Sequence, residues 1–172
     1  MRLENLLDYE ILIVINNTKD KTEDVVARQA KKNPRIRYLN FKQGWKGFAV
    51  IEGFKDALKR NNGLISFVDA DGATPPKAFY SLVKKMRHYD GVIASRYIKG
   101  SVVEPKQSLK RILASRIFNV LIRISFFMPY RDTQCGAKVF KRSAIEKTLP
   151  QLSMSQWAFD VELLFHLKKK NF

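Results

Sequence analysis

The sequence predicts an α/β fold whose strands form a mostly parallel sheet. Along the first half of the chain, short apolar runs of strand length alternate with helix-length segments that carry apolar residues on one face. A strand, a helix and a second strand of one sheet form a right-handed βαβ unit, which makes the two strands parallel. The predicted strands span 10–15, 35–39, 64–68 and 91–95, and the predicted helices span 22–32, 46–60 and 74–87, the last with Thr74 as N-cap.

One long helix is predicted in the second half of the chain, over residues 107–128, with apolar residues on two sides. Each apolar side of such a helix must be buried against another surface. We expect one side to pack on the domain and the other to meet a partner chain or a membrane interface, where Arg116 and Arg123 would reach lipid phosphates. Burial of both sides within the domain is the alternative. A strand at 135–140 and helices at 143–149 and 157–169 complete the prediction.

The composition excludes several classes of protein. Of the 172 residues, 45% are hydrophobic, so the chain can bury a core and is not intrinsically disordered. A single cysteine excludes a disulfide framework and a multi-cysteine zinc site. The sequence has no apolar run long enough for a transmembrane helix. The formal net charge of +16 favours polyanionic partners, which are nucleic acid, an anionic membrane surface or a phosphorylated substrate.

Two carboxylates directly follow the third predicted strand, in the run Val68-Asp69-Ala70-Asp71-Gly72. Ligands of open α/β sheets bind beyond the carboxyl ends of the strands. Carboxylate oxygens are hard ligands that suit Mg²⁺ or Mn²⁺ carrying substrate phosphates. The alternative is structural, an Asx-turn that leads into a helix.

Three further segments are polar or glycine-rich at the ends of predicted elements. The run 43–47 places two glycines and Lys46 at the start of a helix, which suits phosphate binding or a plain turn with a solvated lysine. The run 132–136 packs polar residues before a strand. In the run 157–162, Asp160 lies among aromatic residues and is either functional or an N-cap.

Five segments have an order and spacing similar to those of one enzyme family. They read GWKGFAVIEGF, ISFVDADGATPP, VIASRYIKGS, DTQCGAKVFKRSAIE and WAFDVELLF. From about Leu6 to Leu167 they resemble the GT-A-fold inverting glycosyltransferases of the polyprenyl-phosphate sugar synthase type, which include the dolichyl-phosphate glucose and mannose synthases. The last two segments resemble the glucosyl branch more closely. The resemblance implies one catalytic domain over residues 1–172, with a Rossmann-like sheet flanked by helices.

The resemblance also implies where the substrates bind. The D-x-D pair of that family holds a divalent metal and the diphosphate of the donor, which assigns these roles to Asp69 and Asp71, with Ala70 between them. The implied nucleotide site contains Asn16, Asn17, Lys46 and Gly47; the implied site for the lipid phosphate contains Arg96, Arg111 and Ser115; and the implied sugar and acceptor side contains Asp132, Gln134, Gly136 and Asp160.

The chain departs from the family pattern at three places. The family's usual first strand, which helps to bind the base, has no counterpart here. The run Asn16-Asn17-Thr18-Lys19 stands where the family usually has two acids. The chain also ends soon after Lys170, before the family's usual final segment. A chain truncated at both ends, a compact divergent member and a protein that has lost catalysis all remain open.

The function expected from the resemblance is metal-dependent, inverting transfer of glucose from UDP-glucose to a polyprenyl or dolichyl phosphate. The expected location is peripheral, on the cytoplasmic face of a membrane, and a homodimer is compatible with the two-sided helix. One alternative is the same fold with GDP-mannose or a glycan hydroxyl, which needs a base such as Asp132 or Asp160. The other is a non-catalytic basic protein that binds nucleotides or nucleic acid, although the scattered basic residues match no nucleic-acid motif.

Overall fold

The computed structural model describes residues 7–98, 100–101, 108–153, 156 and 158–172, and within the long helix it leaves the side chains of residues 109 and 111 undescribed. The chain divides into two compact units. The first holds the chain up to Asn61 together with Ser153–Phe159, and the second holds Asn62–Leu152 together with Asp160–Phe172.

The first unit contains the parallel βαβ arrangement that the sequence predicts. Its elements are β1 (Ile11–Asn16), α1 (Thr22–Lys32), β2 (Ile36–Phe41) and α2 (Lys46–Leu58). Strand β1 pairs with β2 in parallel, from Ile11 opposite Ile36 to Asn16 opposite Phe41. The apolar residues that the helices and β1 bury together are Ile15, Val26, Phe48, Ile51 and Phe54.

The second unit is built on a three-stranded sheet in the order β3-β5-β4. Its elements are β3 (Leu64–Val68), α3 (Pro76–Lys85), β4 (Gly91–Ile93), α4 (Leu109–Phe126), β5 (Ala137–Lys141), α5 (Arg142–Thr148) and α6 (Phe159–Lys169), with single 3₁₀ turns at Met86–His88 and Leu149–Gln151.

Strand β5 corrects the expectation that the first four strands pair with one another in parallel. It lies between β3 and β4 and is antiparallel to both, so that β3 and β4 run in the same direction without pairing. Ala137, Lys138, Val139 and Phe140 are all buried, so both faces of this central strand are covered. The α/β class itself is confirmed, and the flanking helices agree with the GT-A type.

Two helix ends differ from the sequence prediction for local steric reasons. Helix α3 begins at Pro76, and its N-cap is Pro75 with an extended ψ of 152°, not Thr74. A residue that precedes proline is disfavoured in the helical region, so Pro76 excludes Pro75 from the helix. Helix α4 ends at Phe126, because Phe127 adopts a left-handed φ of 51°. The predicted starts at 107 and 157 lie outside the described residues.

Helix α4 is apolar on two sides, as predicted, and only one of them is covered by the described residues. Asn119 and Met128 on the inner side are buried, and Phe126 contacts Phe165 of α6 with ring centroids 5.5 Å apart. On the outer side, the exposed fraction is 61% at Leu113, 67% at Ile124 and 83% at Phe127. Within the described part of the chain, no helix is long and apolar enough to cross a membrane.

The core of the second unit contains a buried ion pair. Lys138 of β5 has no exposed side-chain surface, and its Nζ lies 2.5 Å from Asp160 Oδ1 at the start of α6. The same Nζ donates a hydrogen bond to the carbonyl oxygen of Cys135 at 2.6 Å. A buried carboxylate that loses its cationic partner is left with an uncompensated desolvation cost.

We therefore expect Lys138→Met to lower the free energy of unfolding by about 3–5 kcal/mol. Lys141→Met is the matched control, because Lys141 lies on the same strand and pairs with Asp90 at 2.9 Å on the surface, where both side chains are more than 40% exposed. Its expected cost is below about 1 kcal/mol. Urea unfolding of both variants tests this, and equal losses would contradict it. Adding Asp160→Leu to Lys138→Met should recover part of the loss.

Candidate functional site

In the first unit, the end of β1 adjoins the junction between β2 and α2. Asn16 Nδ2 donates a hydrogen bond to the carbonyl oxygen of Trp45 at 3.1 Å. A Cβ added at Gly44 would lie 3.4 Å from Asn17 Nδ2, so the glycine permits the close approach of that side chain. The structure thus brings the predicted nucleotide residues Asn16 and Asn17 to the turn that precedes Lys46.

The turn itself is held in an unusual conformation at Trp45. This residue has φ 80° and ψ 134°, a combination that non-glycine residues rarely adopt, and its side chain is 57% exposed. Helix α2 begins with Lys46 and the buried Gly47. The side chain of its N-cap residue, Trp45, accepts no hydrogen bond from the backbone N–H groups of the first turn. The unusual backbone of Trp45 was not predicted from the sequence. The feature that could have indicated it is an aromatic residue beside a glycine at a strand-to-helix turn.

In the second unit, Gly136 seats the Asp69 carboxylate against the backbone of the loop before β5. The Asp69 N–H donates a hydrogen bond to the Gly136 carbonyl oxygen at 2.8 Å. A Cβ added at Gly136 would lie only 1.9 Å from Asp69 Oδ2. Only glycine therefore fits while Asp69 keeps this position. The sequence assigned Gly136 to the sugar side, and in the structure it also leaves room for Asp69, a predicted metal ligand.

Asp71 lies at the exposed turn beyond β3. Its Oδ1 accepts a hydrogen bond from the Ala73 N–H at 3.0 Å, which is the Asx-turn foreseen as the structural alternative. Ala70 is also exposed, and Gly72 completes the turn with φ 74°. The turn engages one oxygen of Asp71, so it does not exclude a role for the carboxylate in metal binding.

The two carboxylates fit a divalent metal that shares its coordination shell with a substrate. They are one residue apart at the end of β3, and both present hard oxygen atoms. No group of three or more His, Cys, Asp or Glu side chains that could hold a metal occurs among the residues described. Mg²⁺ is commonly bound in this way, by one or two carboxylates together with phosphate oxygens and water.

Arg96 and Asp132, predicted for different parts of the site, form one buried ion pair. Arg96 Nε and Nη2 donate to the two carboxylate oxygens of Asp132 at 2.9 and 2.8 Å, and the Arg96 backbone N–H donates to Oδ2 at 2.9 Å. Asp132 is fully buried. Its hydrogen bonds raise the pKa of Arg96 above the ordinary value. Asp132 therefore fixes the orientation of Arg96.

The loop 132–136 is anchored by residues that the sequence did not single out. Asn119 of α4 accepts hydrogen bonds through Oδ1 from the backbone N–H of Thr133 at 2.9 Å and from its hydroxyl at 3.1 Å. Lys138 holds the Cys135 carbonyl, and burial raises the pKa of the Cys135 thiol. Gln134 lies half-buried in this loop. The role of Asn119 could not be predicted from the sequence, because a single polar residue in an apolar helix forms no recognisable motif.

The remaining predicted residues are placed as follows. Ser115 Oγ accepts a hydrogen bond from the Tyr97 hydroxyl at 2.7 Å, next to Arg96 in the chain. The side chain of Arg111 lies outside what the structure describes. Asp160 is buried against Lys138, and this pairing was not foreseen.

Comparisons with known proteins give a consistent result. A family model described as glycosyl transferase family 2 matches residues 2–149. The dolichyl-phosphate beta-glucosyltransferase ALG5C of Trichomonas vaginalis is 37% identical over 164 residues, covering 91% of this chain and 48% of that protein. The dolichyl-phosphate beta-glucosyltransferases of Dictyostelium discoideum and Homo sapiens are 34% and 30% identical, covering 95% and 91% of this chain and 52% and 51% of those proteins. The chain spans about half the length of these relatives.

The contact between Gly136 and Asp69 predicts a measurable coupling. Gly136→Ala should lower the free energy of unfolding by about 1–3 kcal/mol, as overpacking does. Gly63→Ala is the matched control, because a Cβ at Gly63 meets nothing within 4 Å, and its effect should stay within about 0.5 kcal/mol.

In an Asp69→Ala background, Gly136→Ala should cost less, because the closest clashing atoms are gone. Urea unfolding of the single and double variants measures this coupling. Additive losses would show that the two residues do not constrain each other.

Proposed function

Because the chain belongs to glycosyl transferase family 2, we propose that it transfers glucose, with inversion, from UDP-glucose to a dolichyl or other polyprenyl phosphate. The observation that carries this proposal is the placement of Asp69 and Asp71 at the end of β3, with Asp69 seated by Gly136. The dolichyl-phosphate beta-glucosyltransferase relatives support the choice of sugar and acceptor.

On the donor side, Asp69 and Asp71 would hold a Mg²⁺ or Mn²⁺ ion. When bound, the ion supplies Lewis-acid stabilisation of the leaving diphosphate. Gly136 leaves the room that the Asp69 carboxylate occupies, and the Asx-turn orients Asp71. Within the first unit, the family resemblance assigns the nucleotide to Lys46, Asn16 and Asn17, with positive charge from the lysine and hydrogen bonds from the two amides.

On the acceptor side, the nucleophile is a phosphate oxygen. Phosphate monoesters have a second pKa of about 6, so near neutral pH the acceptor is largely ionised and needs no strong general base. The ion pairs of Asp132 with Arg96 and of Asp160 with Lys138 favour this mechanism, because both carboxylates are engaged by cations. Catalysis then rests on positioning the phosphate for attack opposite the leaving group, which inverts the anomeric carbon.

We further propose that the outer side of α4 rests on the cytoplasmic face of an anionic membrane. Residues 106–131 contain six Lys and Arg residues and no acidic residue, so their charge complements anionic lipids. The exposed apolar residues of this side lie at helical spacing. They are Leu113, Ile117, Val120, Leu121 and Ile124, followed by Phe127 beyond the helix end.

A transfer assay tests the proposed reaction. The full chain is incubated with Mn²⁺, a short-chain polyprenyl phosphate in detergent, and either UDP-glucose or GDP-mannose. We expect a glucosylated lipid phosphate, much less product from GDP-mannose, and none after chelation of the metal. Transfer to the dephosphorylated lipid alcohol would favour the hydroxyl-acceptor alternative. A folded chain that uses neither donor would contradict the proposal.

Membrane docking is tested by cosedimentation with anionic vesicles. Ile124→Gln combined with Phe127→Gln should reduce the bound fraction several-fold, because two exposed apolar side chains are removed from the outer side of α4. Tyr89→Gln is the control, since Tyr89 is 59% exposed on another surface of the same unit. Binding should also weaken at high salt. Unchanged vesicle binding of the double variant would contradict docking through this side. Conversion of a dimer into a monomer by the same substitutions, without loss of vesicle binding, would show that this side is covered by a second copy of the chain.

A further inference from the structure

The ring of Tyr97 lies against two arginines and a serine of the second unit. The guanidinium carbon of Arg96 is 5.5 Å from the ring centroid, and that of Arg116 is 5.6 Å from it. The Tyr97 hydroxyl donates a hydrogen bond to Ser115 Oγ at 2.7 Å. One aromatic side chain thus contacts three groups that can each donate hydrogen bonds to an anion. Sequence reasoning assigned Arg96 and Ser115 to the acceptor phosphate and Arg116 to the membrane surface.

The charges within this cluster are not equivalent. Arg96 is bonded through two nitrogens to the buried carboxylate of Asp132, so the pair carries no net charge. Arg116 has an exposed side chain, and no carboxylate of the described residues lies within 4.0 Å of its guanidinium. Of the two arginines against the Tyr97 ring, Arg96 would offer a phosphate dianion oriented donors, and Arg116 would offer it an uncompensated positive charge.

The remaining donors of the cluster support an anionic ligand. A guanidinium has five N–H groups, of which Asp132 engages only two on Arg96. Ser115 Oγ is the acceptor in its bond with Tyr97, which leaves its own hydroxyl proton able to donate to an anion. Planar, multidentate donors of this kind are well suited to phosphate oxygens.

We propose that Arg116 binds the phosphate of the acceptor together with Arg96 and Ser115, and that Tyr97 is the positioning residue that holds the three groups in place. This inference rests on the proposed function, because it names a further binding residue for the same acceptor. It separates Arg116 from Arg123, which lies two turns further along α4 and has no contact with the Tyr97 ring among the contacts described.

The experiment compares Arg116→Gln with Arg87→Gln, which removes the same charge from an exposed arginine of the same unit. In the transfer assay with geranyl phosphate in detergent, Arg116→Gln should raise the acceptor KM at least tenfold while kcat and the donor KM change little. Arg116→Lys should recover part of the loss. Arg87→Gln should leave the acceptor KM within twofold of the wild type. An equal effect of the two glutamine variants would overturn the proposal.

Tyr97 is tested by two substitutions that separate its ring from its hydroxyl. Tyr97→Leu removes the surface against which both arginines lie and should raise the acceptor KM as Arg116→Gln does. Tyr97→Phe keeps the ring and loses only the bond to Ser115, so its effect should be smaller. Equal effects of Tyr97→Leu and Tyr97→Phe, or a loss of kcat with an unchanged acceptor KM, would contradict the positioning role.

A binding measurement without donor distinguishes failure of this inference from failure of the proposed function. Geranyl phosphate is titrated into the full chain by calorimetry, with geraniol as the control that lacks phosphate and inorganic phosphate as the control that lacks lipid. We expect geranyl phosphate to bind the wild type at least tenfold more tightly than Arg116→Gln. Equal affinities would overturn the inference even if transfer occurs, and a wild type that binds but does not transfer would refute only the proposed reaction.

Discussion

The close approach of Asp69 to Gly136 is the constraint on which the candidate site depends. It exists because β5 runs antiparallel to β3, with Val68 opposite Ala137, so that the residues just beyond these two positions meet. A side chain at position 136 would displace the carboxylate or force the loop away from β3. The same loop carries Asp132, which orients Arg96, and it is tied to α4 through Asn119. One backbone contact thus places both the carboxylates and the loop that supports the arginine.

The two buried aspartates of the second unit, Asp132 and Asp160, each form an ion pair that fixes the orientation of both partners. Asp132 has no exposed surface and engages Arg96 with both oxygens, and Asp160 is paired with a fully buried lysine. Forming each pair removes two charges from water, and this desolvation cost offsets much of the attraction between them. Each pair therefore contributes more to fixed side-chain geometry than to the net free energy of folding. For a phosphate acceptor this division suits the chemistry, because the nucleophile arrives ionised and must mainly be held in position.

The sequence predicted the class of the fold and most of its elements, since periodicity and strand length are local properties. Helix α1 and strand β3 match their predicted bounds. The antiparallel insertion of β5 could not be predicted, because strand order depends on pairing across the sheet. Asp69 and Asp71 could be grouped from the sequence because they are neighbours along the chain. The Arg96–Asp132 and Lys138–Asp160 pairs join residues 36 and 22 positions apart, and no pattern in the sequence marks them.

The proposed function depends above all on Asp69 and Asp71 holding the metal with which the donor binds. Calorimetric titration of UDP-glucose into the wild type and Asp71→Asn, each with and without Mn²⁺, tests it most directly, because this change keeps the shape of the side chain and removes its charge. We expect Mn²⁺ to tighten donor binding to the wild type, and we expect Asp71→Asn to weaken it at least tenfold, about 1.4 kcal/mol, with little change in thermal stability. Metal-dependent donor binding of wild-type strength in Asp71→Asn would show that Asp71 is not a ligand of that metal.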